Sequence, residues 1–331
     1  MKVGTIAYNH DELTMPAIET FALAKHYNIG FWRKRRKDAL KSLTLTVEEG
    51  EVFGYLGPNG AGKTTTLRLL MGLVYPSAGS ARILGKALDD PAMKAQIGFL
   101  PEQPYFYDHL TPKELLTYYA QLSGVPGKDR ARKVDASLAR VGMSESAGIQ
   151  MRKFSKGMLQ RVGIAQAIVH DPKLIFLDEP MSGLDPVGRR EVRDLIQSLH
   201  EEGKTIFFST HILSDAETVC DRVAVLNKGE LRGVGVVADL VSEVSGQVEF
   251  VWTGAAATAE IAALGGKTHE ASETFRTILT QEATDRAIDA IRGAGGKLIS
   301  VTPVRATLED YFLSKLGAGD RDSQNMQEVT R

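Results

Sequence analysis

The sequence has 331 residues and a formal net charge of −1, with 43% hydrophobic and 24% charged residues. This composition is ordinary for a folded globular protein and excludes a disordered or fibrous chain. A charge so close to zero creates no overall field that would hold a polyanion, so we expect no nucleic-acid partner. The length suits one full-sized domain and one smaller domain.

Two features of the sequence bear on its compartment. The single cysteine, Cys220, cannot form an internal disulfide, which favours a reducing cytoplasm. The first 30 residues carry scattered charges and no apolar segment of the secretory type. No uncharged apolar run approaches the roughly 20 residues of a transmembrane helix. If the protein moves a substrate through a bilayer, we expect another chain to supply the pore.

Short apolar runs alternate with helical patterns over residues 52–225, which predicts an α/β domain with a largely parallel sheet. The apolar runs occupy residues 52–56, 174–177, 205–208 and 223–226. Each is apolar at consecutive positions, as in a strand buried on both faces. A helical insert is predicted at about residues 105–160, where Thr111, Pro112 and Glu114 have the pattern of a helix start.

A second domain is predicted after the turn signal Asn-Lys-Gly at residues 227–229, where the composition shifts toward Gly, Ala and Thr. We therefore divide the chain into a first domain over residues 1–234, a small α+β domain over residues 235–316 and a flexible tail over residues 317–331. The last helix is predicted at residues 307–316.

The strongest chemical motif is a glycine-rich phosphate loop between an apolar strand and a helical run. Its residues are Gly57, Pro58, Asn59, Gly60, Ala61, Gly62, Lys63 and Thr64, followed by Thr65. Glycines let successive backbone N–H groups face a phosphate, and the helix N-terminus adds positive potential. We expect Lys63 to reach the β and γ phosphates of a nucleotide and the Thr64 hydroxyl to hold Mg²⁺.

The second motif is the apolar strand at residues 174–177, which ends in the carboxylates of Asp178 and Glu179. Open α/β sheets bind ligands at the ends of their strands. Asp178 is expected to bind Mg²⁺, directly or through water, and Glu179 to polarise the attacking water. The pattern is weak alone and becomes strong beside a phosphate loop.

Together these motifs resemble the ATP-binding subunit of an ABC transporter over residues 17–228. Residues 154–158, Phe-Ser-Lys-Gly-Met, resemble the signature sequence of that family, and residues 182–185, Ser-Gly-Leu-Asp, resemble its D-loop. His211 resembles the switch histidine, and Tyr27 resembles the aromatic residue that stacks on adenine.

The resemblance implies a P-loop NTPase fold of ABC type, with a mixed, largely parallel sheet and a helical insert. It also implies that ATP is sandwiched head to tail between two copies of the chain, or between the chain and a similar ATPase subunit. In that arrangement Ser155 and the Gly157 N–H contact the γ-phosphate held by the facing subunit, and Asp185 belongs to the same shared site. His211 hydrogen-bonds the γ-phosphate of its own site and positions the water.

The implied function is ATP hydrolysis that powers translocation of a substrate, in the direction of export, through a separate integral membrane permease. The chain would be peripheral, at the cytoplasmic face of the cell membrane. Residues 308–313, Leu-Glu-Asp-Tyr-Phe-Leu, resemble the ending of ATPases paired with multidrug and ABC-2 exporters. The alternative for this segment is a helix that merely packs, and both interpretations are compatible.

Two other functions compete with transport. A soluble ABC-type ATPase that acts on ribosomes or DNA is disfavoured, because the chain has one phosphate loop and no long heptad segment. A nucleotide-binding regulator without turnover is disfavoured by the intact set of Asp178, Glu179 and His211.

Two groups of basic residues have open roles. Lys156 replaces a glycine of the usual signature sequence, and it either adds attraction for phosphate or points to solvent. The run from Arg33 to Lys37 is predicted to lie in a loop between two early strands. That loop is either solvated or in contact with anionic lipid.

One position of the resemblance is ambiguous, because the glutamine that senses Mg²⁺ in the family corresponds to Glu102 or to Gln103. Counting back from Leu110 and Thr111 places Glu102 at the expected position. A carboxylate still offers oxygen to a cation, although it loses the amide donor. We therefore predict that Glu102→Ala lowers ATP turnover in the complete transporter more than Gln103→Ala does. Steady-state ATPase assays of both variants decide this, and the opposite ranking would move the register to Gln103.

Overall fold

A computed structural model describes residues 15–30 and 35–315 of the chain. The chain divides between Gly235 and Val236 into two compact units. Residues 1–14, residues 31–34 with the first two members of the basic run, Arg33 and Lys34, and residues 316–331 lie outside the described residues. The last range contains the end of the last predicted helix at Leu316 and the predicted tail at residues 317–331.

The first unit contains two sheets within its described part. Its strands are β1 (Ile18–Ile29), β2 (Arg35–Val47), β3 (Val52–Leu56), β4 (Ala78–Ile83), β5 (Lys86–Ala87), β6 (Ile97–Leu100), β7 (Leu174–Asp178), β8 (Thr205–Thr210), β9 (Arg222–Asn227) and β10 (Glu230–Val236). An antiparallel sheet has the order β2-β1-β4-β5, and the other sheet has the order β10-β9-β3-β8-β7-β6. From β9 to β6 the neighbours are parallel. The fold is therefore the predicted α/β type with a mixed, largely parallel sheet.

Seven α-helices accompany these strands in the described residues of the first unit. They are α1 (Lys63–Leu70), α2 (Pro91–Lys94), α3 (Pro112–Leu122), α4 (Gly127–Arg140), α5 (Lys156–Ile168), α6 (Pro186–Glu201) and α7 (Leu213–Val219). The helices α3, α4 and α5 pack on one another as a helical insert. Thr111 starts α3 in a capping box with Glu114, as the sequence predicts, because each side chain satisfies a backbone N–H of the other residue.

The core of the larger sheet is aromatic. Phe207 of β8 lies at its centre, with the rings of Phe53, Tyr55 and Phe176 at 5.6, 5.3 and 5.7 Å from its own ring. Burial raises the pKa of Tyr55, whose hydroxyl lies 3.3 Å from the Thr66 hydroxyl of α1. The contact between Tyr55 and Thr66 therefore links the aromatic cluster to α1, the helix that follows the phosphate loop.

The turn between β9 and β10 touches the phosphate loop. Lys228 and Gly229 have φ angles of 48° and 78°, which is the geometry of a two-residue hairpin turn that matches the twist of the strands. The Gly229 N–H donates to the Ala61 carbonyl at 2.9 Å, and the Gly229 carbonyl accepts from the Lys41 N–H at 2.9 Å. The turn thus ties β2 to the loop.

The second unit is a small α+β fold. Its described elements are α8 (Val237–Glu243), β11 (Gln247–Thr253), α9 (Thr258–Ala263), β12 (His269–Ala271), β13 (Thr274–Thr280), α10 (Thr284–Gly293), β14 (Lys297–Pro303) and α11 (residues 308–315). The strands pair antiparallel in the order β12-β13-β11-β14, which is the split β-α-β arrangement. Val248, Phe250 and Trp252 alternate into its core, as their spacing predicts.

The prediction that the basic run lies in a loop is wrong for the three of its residues that the structure describes. Arg35, Arg36 and Lys37 lie in strand β2, because the antiparallel pairing with β1 continues as far as Ile29 and Arg35. Backbone pairing tolerates the positive side chains because they are exposed, and Arg36 is neutralised by Asp38 at 2.7 Å. Among the helices of the described ranges, none combines the length and the apolar character needed to span a bilayer.

Candidate functional site

Three neighbouring parallel strands, β3, β8 and β7, bring the predicted motifs to one edge of the sheet. Leu56 at the end of β3 pairs with Thr210 at the end of β8, and Asp178 at the end of β7 pairs with Ser209. The segments that follow these strands therefore meet. These segments are the phosphate loop after β3, Glu179 after β7 and the predicted switch histidine, His211, after β8.

The start of α1 offers unpaired backbone donors. Gly62 precedes the helix with a φ of 115°, and no side chain caps it. The N–H groups of Lys63, Thr64 and Thr65 donate to no acceptor among the described residues. Aligned N–H groups at a helix start create positive potential and bind anions, especially phosphates. The predicted phosphate loop thus has the geometry of a phosphate site.

Lys63 is held inside this site. Its Nζ donates to the Gly57 carbonyl at 2.7 Å and lies 3.2 Å from Glu179 Oε1. Both side chains of this ion pair are buried. Burial removes water from both charges, so each is stabilised mainly by the other. Removal of either partner would leave an uncompensated buried charge, which destabilises the folded state.

Glu179 links the lysine to His211. Its Oε2 accepts a hydrogen bond from His211 Nδ1 at 2.8 Å. Its backbone has a φ of 51°, which is uncommon for a residue with a side chain, and its N–H donates to the Ser209 carbonyl at 3.1 Å. Strained backbone of this kind persists where the surroundings hold it in place. Here it directs the carboxylate toward the phosphate loop.

The oxygen donors at this edge fit Mg²⁺. Asp178 is buried and accepts a hydrogen bond from Ser209 Oγ at 2.5 Å. Thr64 supplies a hydroxyl at the start of α1, and Mg²⁺ prefers few protein oxygens together with water and phosphate oxygens. Over the described ranges, no group of three or more His, Cys, Asp or Glu side chains is arranged to hold a metal ion. Thr64 and Asp178 would supply two protein oxygens, and a phosphate ligand and water would supply the others.

A cleft of about 660 Å³ extends from the phosphate loop to Tyr27. Its volume is typical of small-molecule sites. It is lined by residues that include Tyr27, Asn59, Lys63, Thr64, Glu179 and His211. Glu102 also lines it, whereas Gln103 is not among the lining residues.

Three lining residues carry no predicted role in nucleotide binding. They are Lys37, Ala39 and Ser182. Lys37 and Ala39 reach the cleft because β2 runs beside the phosphate loop, and a Cβ on Gly62 would lie only 2.3 Å from the Ala39 carbonyl oxygen. The position of Lys37 and Ala39 in the cleft could be predicted only from the register between β1 and β2, which the sequence alone does not reveal.

The signature residues and Asp185 lie outside this cleft. Ser155 begins α5, and its Oγ accepts from the Met158 N–H at 3.3 Å. Asp185 begins α6 and accepts from the Gly188 N–H at 2.7 Å. Neither these two residues nor Gly157 lines the cleft of their own chain. This separation is the arrangement that a site shared between two chains requires.

Lys156 lies against the D-loop. A Cβ on Gly183, whose φ is 70°, would be 2.2 Å from Lys156 Nζ and 3.1 Å from its Cε. A second contact also joins α5 to the segment that leads into the D-loop: Gln160 Nε2 donates to the Pro180 carbonyl at 2.9 Å. The lysine side chain is exposed but runs along the loop instead of extending freely into solvent.

Comparisons with known proteins agree with this geometry. A family model described as ABC transporter matches residues 40–182. An uncharacterized ABC transporter ATP-binding protein of Synechocystis sp. is 42% identical over 311 residues, which cover 90% of this chain and 84% of that protein. The bacitracin transport ATP-binding protein of Enterococcus faecalis is 33% identical over 315 residues, covering 91% of this chain and 97% of that protein.

A solved structure is also similar to this chain. It is a dimeric ATP-binding cassette in a post-hydrolysis state, bound to ADP and Pi. It shares 27% identity and a TM-score of 0.61, covering 66% of this chain and 98% of that one.

The close approach of Gly62 to the Ala39 carbonyl of β2 predicts that a side chain at position 62 weakens nucleotide binding. Gly62→Ala forces a Cβ against a backbone carbonyl, so we expect nucleotide affinity to fall by more than about 100-fold. Gly60→Ala is the matched control, because Gly60 also has a positive φ, of 80°, but a Cβ there meets nothing within 4 Å. Its backbone strain of about 1–2 kcal/mol predicts a loss of about tenfold. Titration with a fluorescent ATP analogue measures both, and equal losses would contradict the contact.

Proposed function

The chain belongs to the family of ABC transporter ATP-binding subunits, which bind and hydrolyse ATP, and we propose that it powers export of a substrate through a separate integral membrane permease. The bacitracin transport relative supports a role in transport, because the similarity extends over both units. The permease would hold the chain at the cytoplasmic face of the cell membrane as a peripheral subunit. The alternative of a soluble ATPase acting on ribosomes or DNA is not favoured, because these relatives are named for transporters.

One observation carries the proposed chemistry: Lys63, Glu179 and His211 form a continuous chain of contacts at the ends of three strands. In the bound complex, adenine stacks on Tyr27 and the phosphates lie over the start of α1. Lys63 then binds the β and γ phosphates. Thr64, Asp178 and Glu102 would hold Mg²⁺, which would neutralise charge on the phosphate oxygens.

Glu179 acts on the water that attacks the γ-phosphorus. Phosphate oxygens give Lys63 new anionic partners, which leaves the Glu179 carboxylate to accept a proton from the water. The new oxygen–phosphorus bond forms while the bond from the γ-phosphorus to the bridging oxygen of ADP breaks. His211 remains beside Glu179 and hydrogen-bonds the γ-phosphate, so that water and phosphate are aligned.

The second half of the site comes from a facing subunit, either a second copy of this chain or a similar ATPase. Ser155 and the Gly157 N–H lie at the start of α5, where helix geometry favours anions. They contact the γ-phosphate held by the other subunit, with Asp185 next to the same interface. Because ATP contacts both chains it favours the closed dimer, and hydrolysis removes that preference.

The role of Glu179 is tested by Glu179→Gln. The amide keeps the size of the side chain but cannot take up a proton, so we expect the ATPase rate to fall by about 10²–10⁴-fold. Affinity for ATP should not fall, because the phosphate donors remain and Lys63 no longer exchanges a carboxylate partner for the phosphates. Glu201→Gln, at the exposed end of α6, is the control and should keep wild-type turnover. Full hydrolysis by Glu179→Gln would refute the assignment of the base.

A further inference from the structure

Lys37 occupies a position in the nucleotide cleft that the motifs do not explain. It pairs with Tyr27 across the antiparallel strands β1 and β2. Directly opposed residues of such a pair project from the same face of the sheet. Tyr27 and Lys37 both line the cleft. Their side chains are therefore neighbours at its outer end.

The distance of Lys37 from the phosphate loop follows from the strand. Ala39 is two residues further along β2, lines the same cleft, and has its carbonyl oxygen against Gly62. Two residues of a strand span about 6.6–6.8 Å. Lys37 thus lies one such step away from the loop, beside Tyr27.

Of the two lysines that line the cleft, Lys37 is the one whose ammonium lacks a partner within the described part of the chain. Lys63 is occupied by Glu179 and a carbonyl. Lys25 donates to the Tyr75 carbonyl at 2.7 Å and lies 5.1 Å from the centre of the Tyr27 ring. The side chain of Lys37 makes no hydrogen bond or ion pair with any described residue. Its charge is therefore available to a ligand.

We propose that Lys37 is a nucleotide-binding residue that contacts the α-phosphate of ATP. This inference rests on the ATP site proposed above. We expect Tyr27 to bind the base and Lys63 to bind the β and γ phosphates, which leaves the α-phosphate as the remaining anion, next to the nucleoside on Tyr27. An ammonium is a compact point charge that binds phosphate oxygens without a fixed direction. Lys37 therefore lowers the dissociation constants of all nucleotides that carry an α-phosphate.

The chain offers a matched control in Arg36. It carries the same charge, directly precedes Lys37 in the same strand, and projects from the opposite face because side chains alternate along a strand. Arg36 is also neutralised by Asp38, at 2.7 Å. Substitution of Arg36 removes one positive charge outside the cleft, whereas substitution of Lys37 removes one inside it. Comparison of the two variants therefore separates a general effect of charge from a specific contact with the nucleotide.

The experiment measures the binding of ATP, ADP, AMP and adenosine by competition against a fluorescent ADP analogue. The full-length chain, Lys37→Met, Lys37→Arg and Arg36→Met are compared at low ionic strength. We expect Lys37→Met to weaken ATP, ADP and AMP by about 5–10-fold each and to leave adenosine unchanged. Lys37→Arg should retain most of the affinity, and Arg36→Met should match the wild type. The loss should shrink at high salt, since the contact is partly exposed.

Two results would overturn the role of Lys37. An equal loss for adenosine would place the lysine on the ribose or the base, and unchanged affinities in Lys37→Met would leave it a solvated side chain. Circular dichroism of each variant checks that the fold is intact. If the wild-type chain bound no nucleotide at all, the proposed function itself would fail, which is a different outcome from a specific loss in Lys37→Met.

Discussion

The ion pair between Lys63 and Glu179 joins the ends of two parallel strands, and His211 from the strand between them completes the contact. Both charges are buried, so each depends on the other for its stability. The pair forms only if β3, β8 and β7 keep their register, and that register is held by an aromatic core centred on Phe207. The reacting groups are thus positioned by the ends of the buried strands of this sheet.

The same fold separates the two halves of the nucleotide site. The cleft holds the phosphate loop, while Ser155 and Asp185 begin helices outside it, each fixed by its own capping hydrogen bond. Lys156 and Gly183 lie in contact, so the signature segment and the D-loop are joined parts of one surface. A chain built in this way offers complementary halves to a facing subunit, and nucleotide is the ligand that unites them.

The sequence predicts the phosphate loop and the strand ending at Glu179 because their chemistry needs particular residues at consecutive positions, and the parallel sheet because its strands are continuously apolar. It does not predict contacts between distant segments. Lys37 looks like part of a solvated basic loop, since its place beside Tyr27 depends on the pairing of β1 with β2. The contact of Lys156 with Gly183 is hidden for the same reason, because it depends on how α5 packs.

The shared site is tested most directly by the mass of the chain in solution with and without ATP, measured by sedimentation velocity. The account predicts that ATP converts Glu179→Gln from monomer to dimer. It also predicts that Glu179→Gln combined with Ser155→Arg stays monomeric while each monomer still binds ATP, because Ser155 serves the nucleotide of the other subunit. A combined variant that dimerises with ATP, or an unaltered monomer that hydrolyses ATP at full rate at every dilution and without a partner chain, would contradict it.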